Sequence, residues 1–78
     1  MKIHELKTWP EFFTEAVGGR KRFELRRNDR DFQCGDDIQL KEWCPIEKKY
    51  TGRSKQFKIK TMLQNFQGLK KGYCILGI

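Results

Sequence analysis

A glycine pair followed by a short alternating segment constrains the fold of this chain more than any other feature. Gly18-Gly19 predicts the end of one element and a turn into the next, because glycine adopts backbone conformations that other residues avoid. The segment Arg22–Arg27 alternates apolar and charged side chains, which predicts a half-buried strand. We expect its apolar members to face the core and its charged members to share the other face: Phe23 and Leu25 against Arg22, Glu24 and Arg26. Lys21 joins the charged face from the turn.

The same region concentrates the positive charge of the chain. Residues 18–30 contain six basic and two acidic side chains, which supply more than half of the net charge of +7. Such a charge predicts an anionic partner, most often nucleic acid and sometimes a membrane surface. The alternative is that the charge only keeps a small domain soluble, because further basic residues are spread along the second half of the chain.

Length and composition predict one domain, residues 1–78, with one small core. Three cysteines without metal-type spacing and the absence of an apolar leader predict a cytoplasmic protein with reduced thiols. No apolar run approaches membrane-spanning length, and the single histidine argues against a histidine-based metal site. We therefore expect no metal, no cofactor and no membrane contact.

Residues 8–17 carry the signals of a helix. Thr8 and Glu11 have the spacing of a capping box, and Pro10 suits the first turn. The helix is expected to run to about Val17 and to end at the glycine pair. Its apolar residues have the spacing of one core-facing stripe, in which we expect no ligand groove: Trp9, Phe12, Phe13, Ala16 and Val17.

Four or five strands are predicted around this helix. A short strand or extended lead-in at residues 1–7 precedes the alternating segments Asp37–Trp43 and Gln56–Leu63, which are expected to pair as a hairpin around a loop at 44–53. The apolar segment Tyr73–Ile78 predicts a central strand covered on both faces. The order of elements predicts an α+β fold, a small and partly closed mixed β-barrel with one N-terminal helix packed on it.

Two polar residues in this frame each have two open interpretations. Glu42 falls in phase with Ile38 and Leu40, so it either faces inward and meets a base or is solvated where the strand twists outward. His4 is either a functional group or, as is more common for a lone histidine, a hydrogen-bonded packing residue. The single serine, Ser54, has no surroundings that resemble a catalytic triad.

The run Gly19–Arg26 resembles the Gly-x-Lys-x-x-Glu-x-Arg signature of ASCH domains, which are relatives of the PUA-like barrels. More closely, the chain is similar to a small bacterial and phage family of unknown function within that superfamily. The similarity extends over nearly the whole chain through several multi-residue runs: His4–Lys7, Arg26–Phe32, Gly35-Asp36, Leu40–Glu42 and Tyr50–Arg53.

The resemblance implies a PUA-like barrel whose cleft is lined by the signature and binds RNA. The superfamily also includes an acetylcytidine amidohydrolase, which is similar at Lys21 but has a threonine nucleophile where this chain has Glu24. That difference argues against a covalent mechanism, because carboxylate attack on an amide would give an anhydride. As an enzyme, the chain would instead use Glu24 as a general base, with Lys21 or Arg26 stabilising the oxyanion.

The residues themselves allow a polar recognition site. Arg26 can hold a phosphate with two hydrogen bonds, and Glu24 can accept from a base amine or orient Arg26. The alternative is a surface ion pair worth roughly 0–1 kcal/mol. We predict the following nucleic-acid-binding set, with Trp43 or Tyr50 stacking a base: His4, Lys7, Lys21, Glu24, Arg26, Arg27, Asn28, Arg30, Glu42 and Arg53.

Three functions are consistent with these patterns. RNA or nucleotide binding is favoured, a hydrolase acting on a modified nucleoside comes second, and a small regulator that binds a protein partner comes third. The expected oligomeric state is a monomer or weak dimer.

Overall fold

Two three-stranded sheets and one helix make up the computed structural model, which describes all residues from 1 to 78. In chain order the elements are β1 Ile3–Thr8, α1 Pro10–Val17, β2 Phe23–Arg27, β3 Asp37–Cys44, β4 Lys49–Lys58, β5 Thr61–Gln64 and β6 Tyr73–Gly77. The first sheet has the order β1-β3-β4, with β1 parallel and β4 antiparallel to β3. The second sheet has the order β2-β6-β5 and is antiparallel throughout.

The α+β class is confirmed, but the predicted barrel is wrong because the two sheets remain open and separate. The strand predicted at Gln56–Leu63 is broken after Lys58, and its two parts belong to different sheets. Ile59 N–H donates to the Asp36 carbonyl beside β3 (2.8 Å), whereas Lys60 N–H donates to the Gly77 carbonyl in β6 (2.8 Å). Consecutive residues thus join the two sheets instead of continuing one strand around a barrel.

The predicted hairpin between the second and third strands is confirmed as β3 and β4, with an irregularity between Lys41 and Trp43. The second arm is longer than predicted, because β4 already begins at Lys49 within the segment predicted as a loop. The remaining turn is tight, and Lys48 N–H donates to the Cys44 carbonyl at 2.7 Å.

The helix begins after Trp9, and the predicted capping box is wrong. Thr8 is the last residue of β1, and Trp9 occupies the N-cap without a side-chain hydrogen bond to the helix. Pro10 fills the first helical position as predicted. Gly19 has φ +82°, a conformation that favours glycine, so the predicted end of the helix is confirmed. No helix is long and apolar enough to span a membrane.

The core lies between the sheets and the inner face of α1. Its buried apolar residues come from β1, α1, β3 and β6 and from the segments that follow β2, β4 and β6: Leu6, Phe13, Ala16, Phe32, Ile38, Leu40, Ile59, Cys74, Leu76 and Ile78. The last strand, β6, is central in its sheet as predicted, although only alternate residues such as Cys74 and Leu76 are fully buried. All three cysteines are free, and burial raises the pKa of the Cys74 thiol, with a smaller contribution from the Asp29 charge.

His4 is a packing residue in this fold. Its Nε2 lies 3.0 Å from Asp36 Oδ2, and its ring packs edge-on against Phe32 at 4.7 Å between centroids. The Asp36 carboxylate also accepts hydrogen bonds from the backbone N–H groups of Lys2 and Gln33, each at 3.2 Å. The hydrogen bond with His4 and then these backbone hydrogen bonds lower the pKa of Asp36, against the opposing effect of burial.

Asp36→Asn is expected to reduce stability at neutral pH and to flatten its loss in acid. Because the pKa of Asp36 is lowered by folding, its carboxylate stabilises the fold above about pH 4, and that stabilisation is lost as the pH falls through the folded pKa. Urea unfolding at pH 7, 5, 4 and 3 measures both effects. Glu47→Gln, which changes an exposed carboxylate, is the matched control. Identical pH profiles for Asp36→Asn and the unmodified protein would contradict this prediction.

Candidate functional site

A concave pocket of about 680 Å³ lies where the end of β1 and the helix approach β2. We call it the β2 pocket. One side is formed by Lys7, Thr8, Trp9, Phe12 and Glu15, and the other by Arg20, Lys21 and residues 23–26. The pocket therefore includes the glycine-turn region that carries most of the charge, and it is bordered by both sheets.

The β2 strand turns Glu24 and Arg26 inward, which reverses the predicted orientation, while Arg22 before the strand stays exposed. Glu24 is 3% exposed, whereas Phe23 and Leu25 are 50% and 54% exposed. The pairing with β6 explains the reversal, because residues directly opposite in an antiparallel pair point to the same face. Glu24 lies opposite Leu76, which is fully buried, and therefore shares its face.

The three signature side chains converge inside the pocket instead of forming a surface ion pair. Lys21 Nζ donates to Glu24 Oε1 and to the Phe23 carbonyl, the latter at 2.7 Å. Arg26 Nε donates to Glu24 Oε2 at 3.0 Å, and Arg26 Nη2 donates to the Lys7 carbonyl at 2.8 Å. The two cations compensate the cost of burying the carboxylate and leave the group with one net positive charge.

Exposed apolar side chains form the walls of the pocket, and the sequence interpretation missed them. Trp9 and Phe12 of the predicted core stripe are 50% and 52% exposed, and only Phe13 and Ala16 are buried. Together with Phe23 and Leu25, they line the pocket on both sides. Part of the signal was present in the sequence, because the five predicted stripe residues include the adjacent pairs 12–13 and 16–17, whose members point about 100° apart and so make a wide stripe for one small core.

Thr8 lines the same pocket and carries an unpartnered, buried hydroxyl. The residue is 3% exposed, and its hydroxyl has no hydrogen-bond partner. Buried polar side chains nearly always have a partner, and leaving one without costs about 1–3 kcal/mol. The hydroxyl oxygen is also closed off from the pocket space, so the unmet hydrogen bond is a local cost of the fold.

The predicted stacking residues lie beside the pocket and connect to it through Lys7. The Lys7 ammonium lies 4.0 Å from the centre of the Trp43 ring. Trp43 packs edge-on against Tyr50 at 5.0 Å, and Lys41 lies 4.8 Å from the Tyr50 ring. Lysines thus contact both aromatic side chains, and Lys21 similarly lies 4.9 Å from the Phe23 ring and 6.0 Å from the Phe12 ring in the pocket walls.

Glu42 faces inward, which confirms the first of its two interpretations. It is buried, accepts a hydrogen bond from the Thr51 hydroxyl at 2.7 Å, and lies 3.6 Å from Arg53 Nη1. The Arg53 guanidinium also lies 5.1 Å from the Phe13 ring. This group therefore links β3 and β4 to the helix.

The predicted nucleic-acid-binding set divides into two parts. Four of its members line the β2 pocket: Lys7, Lys21, Glu24 and Arg26. Six lie outside the pocket, each with a contact of its own in the fold: His4, Arg27, Asn28, Arg30, Glu42 and Arg53. No group of three or more His, Cys, Asp or Glu residues is arranged to hold a metal ion.

Comparison with known proteins gives two findings. Residues 3–78 match the model of a family described as a domain of unknown function, DUF3850. A protein of Escherichia phage P2, titled "Uncharacterized 12.9 kDa protein in GpA 3'region", is 38% identical over 58 residues, which are 74% of this chain and 51% of that protein. The chain thus spans about half the length of this curated relative.

Proposed function

This chain belongs to the DUF3850 family, and we propose that its β2 pocket binds single-stranded RNA or a nucleotide. The family assignment agrees with the predicted small phage or bacterial family of unknown function. We also propose that the family is related to the ASCH domains, because Gly19–Arg26 resembles their signature. The observation that carries the functional proposal is the pocket itself, in which exposed aromatic rings surround a carboxylate flanked by two cations.

The walls of the pocket suit a base. Trp9, Phe12 and Phe23 present aromatic surface to solvent, and stacking of a base on such a ring contributes about 1–3 kcal/mol. Small-molecule sites usually enclose roughly 300–1,000 Å³, so the volume of about 680 Å³ is adequate for a nucleotide. Exposed apolar rings that are grouped in this way are also typical of interaction sites.

The charge of the pocket suits the phosphate groups of the same ligand. Four basic and two acidic side chains line it, which leaves a local charge of +2 on a chain with a net charge of +7. Lys7 has no carboxylate partner, and Arg26 keeps Nη1 free of protein hydrogen bonds. Such groups attract an anion over a distance and hydrogen-bond it on contact.

The hydrolase alternative has less support. The amidohydrolases that the signature resembles have a threonine nucleophile where this chain has Glu24, and carboxylate attack on an amide would give an anhydride. The hydrogen bonds from Lys21 and Arg26 fit a carboxylate that holds donors in place for a ligand.

Binding is expected to weaken steeply with salt, because each phosphate contact releases counterions. A labelled single-stranded RNA decamer, titrated at 50 and 200 mM salt by fluorescence anisotropy, measures the dependence. Lys7→Met is expected to lower the affinity and to reduce the slope of log K against log salt by about 0.7. Lys71→Met removes the same charge from an exposed position outside the pocket and serves as the control. Absent or salt-independent binding would refute the proposed function.

A further inference from the structure

We propose that the Lys21–Glu24–Arg26 triad selects a base with the hydrogen-bonding edge of uracil, in which one N–H lies between two carbonyl oxygens. The inference rests on the proposed function, since it requires that a base enter the β2 pocket. It goes further by naming the base and the groups that discriminate it.

The triad presents its groups in the order donor, acceptor, donor. An ionised carboxylate only accepts hydrogen bonds, and ammonium and guanidinium groups only donate them. Lys21 forms an ion pair with one oxygen of Glu24, and Arg26 forms an ion pair with the other oxygen. The carboxylate is therefore the central acceptor, with one cationic donor on each side.

Each member of the triad keeps hydrogen-bonding capacity for a ligand. Lys21 uses two of its three N–H groups, on Glu24 and on the Phe23 carbonyl. Arg26 uses Nε and Nη2, and the two N–H groups on Nη1 have no protein partner. Each oxygen of Glu24 accepts from one of these side chains, and a carboxylate oxygen has two lone-pair directions.

Uracil matches this order, and the amino bases do not. Along its edge, O4 is an acceptor, N3–H is a donor and O2 is an acceptor. Each of these groups can therefore pair with a group of the triad that has the complementary hydrogen-bonding role. Cytosine places an amine and an unprotonated ring nitrogen at the first two positions, where they would meet a cationic donor and a carboxylate. Because the Glu24 carboxylate is largely removed from water, mismatched groups that face it lose their hydrogen bonds, and this discriminates between the bases.

The surroundings of the triad favour recognition over a merely structural ion pair. Glu24 is buried and its two partners are only partly exposed, so solvent screens their hydrogen bonds weakly.

Competition with nucleotides tests the proposal. Labelled single-stranded RNA bound to the full chain is displaced with uridine, cytidine and 3-methyluridine 5′-monophosphates. We expect the uridine nucleotide to compete at least about 10-fold better than the cytidine nucleotide. The 3-methyl compound, which keeps both carbonyls but lacks the N–H, should compete as poorly as cytidine. Oligo(U) that binds far more tightly than the mononucleotide identifies RNA as the source of the base, and similar affinities identify the free nucleotide.

Glu24→Gln is expected to bring the uridine-to-cytidine ratio close to one, because the amide can present a donor where the carboxylate only accepts. Circular dichroism establishes that the variant folds; if it does not, the 3-methyluridine comparison on the unmodified protein decides alone. Equal competition by all three nucleotides, with RNA binding intact, would refute the proposed selection of uracil but not the proposed binding of RNA. Absence of any RNA binding overturns both.

Discussion

Phe13→Ala is expected to lower the free energy of unfolding by about 3–5 kcal/mol, the usual cost of truncating a buried phenylalanine. Phe13 is 2% exposed and lies in the core cluster, where the Arg53 guanidinium also contacts its ring. Phe12→Ala, one residue earlier on the same helix, is expected to cost about 1 kcal/mol or less, because its ring is 52% exposed. Urea unfolding of both variants, followed by circular dichroism, measures the difference.

The comparison decides how the helix faces the sheets. Both variants lose the same atoms from adjacent helical positions, so helix propensity changes equally and only burial differs. Equal losses of stability would mean that Phe12 is also covered by the core. Phe12 would then not form a wall of the pocket.

Phe12→Ala and Phe23→Ala are each expected to weaken RNA binding by about 1–3 kcal/mol, the typical contribution of one stacked base. The two rings stand on opposite sides of the β2 pocket, one on the helix and one on the strand. Both are about half exposed, so the variants should fold normally. Anisotropy titration at low salt measures the affinity of each.

Phe66→Ala is the matched control for these variants. Phe66 is 60% exposed and lies outside the pocket, so its removal deletes equal aromatic surface from an unrelated place. Affinities that are unchanged in the two pocket variants, or reduced equally in Phe66→Ala, would show that no base stacks on the pocket walls.

The sequence predicted the strand at residues 22–27 but not which of its faces is buried. Alternation separates two sets of side chains, and it contains no information about the neighbouring strand that covers one of them. Pairing of Glu24 with Leu76 decided that question in favour of the charged set. The convergence of Glu24 and Arg26 was nevertheless predictable, because residues two apart share a face whichever face is buried.

The barrel failed as a prediction for a related reason. Phe57 and Ile59 continue a period of two across the end of β4, so the pattern shows no interruption. The break is visible only in the backbone hydrogen bonds of Ile59 and Lys60, which go to different sheets. Tertiary pairing of this kind leaves no mark on local periodicity.

The hydrogen bond from Arg26 to the Lys7 carbonyl fastens β2 to β1, and the β2 pocket opens along that line of contact. A ligand in the pocket therefore contacts both sheets at once and stabilises their packing against each other. Its binding energy opposes their separation, so a tightly held ligand raises the melting temperature of the whole domain through mass action. Thermal shift against a panel of nucleotides thus detects the occupant without labelling either component.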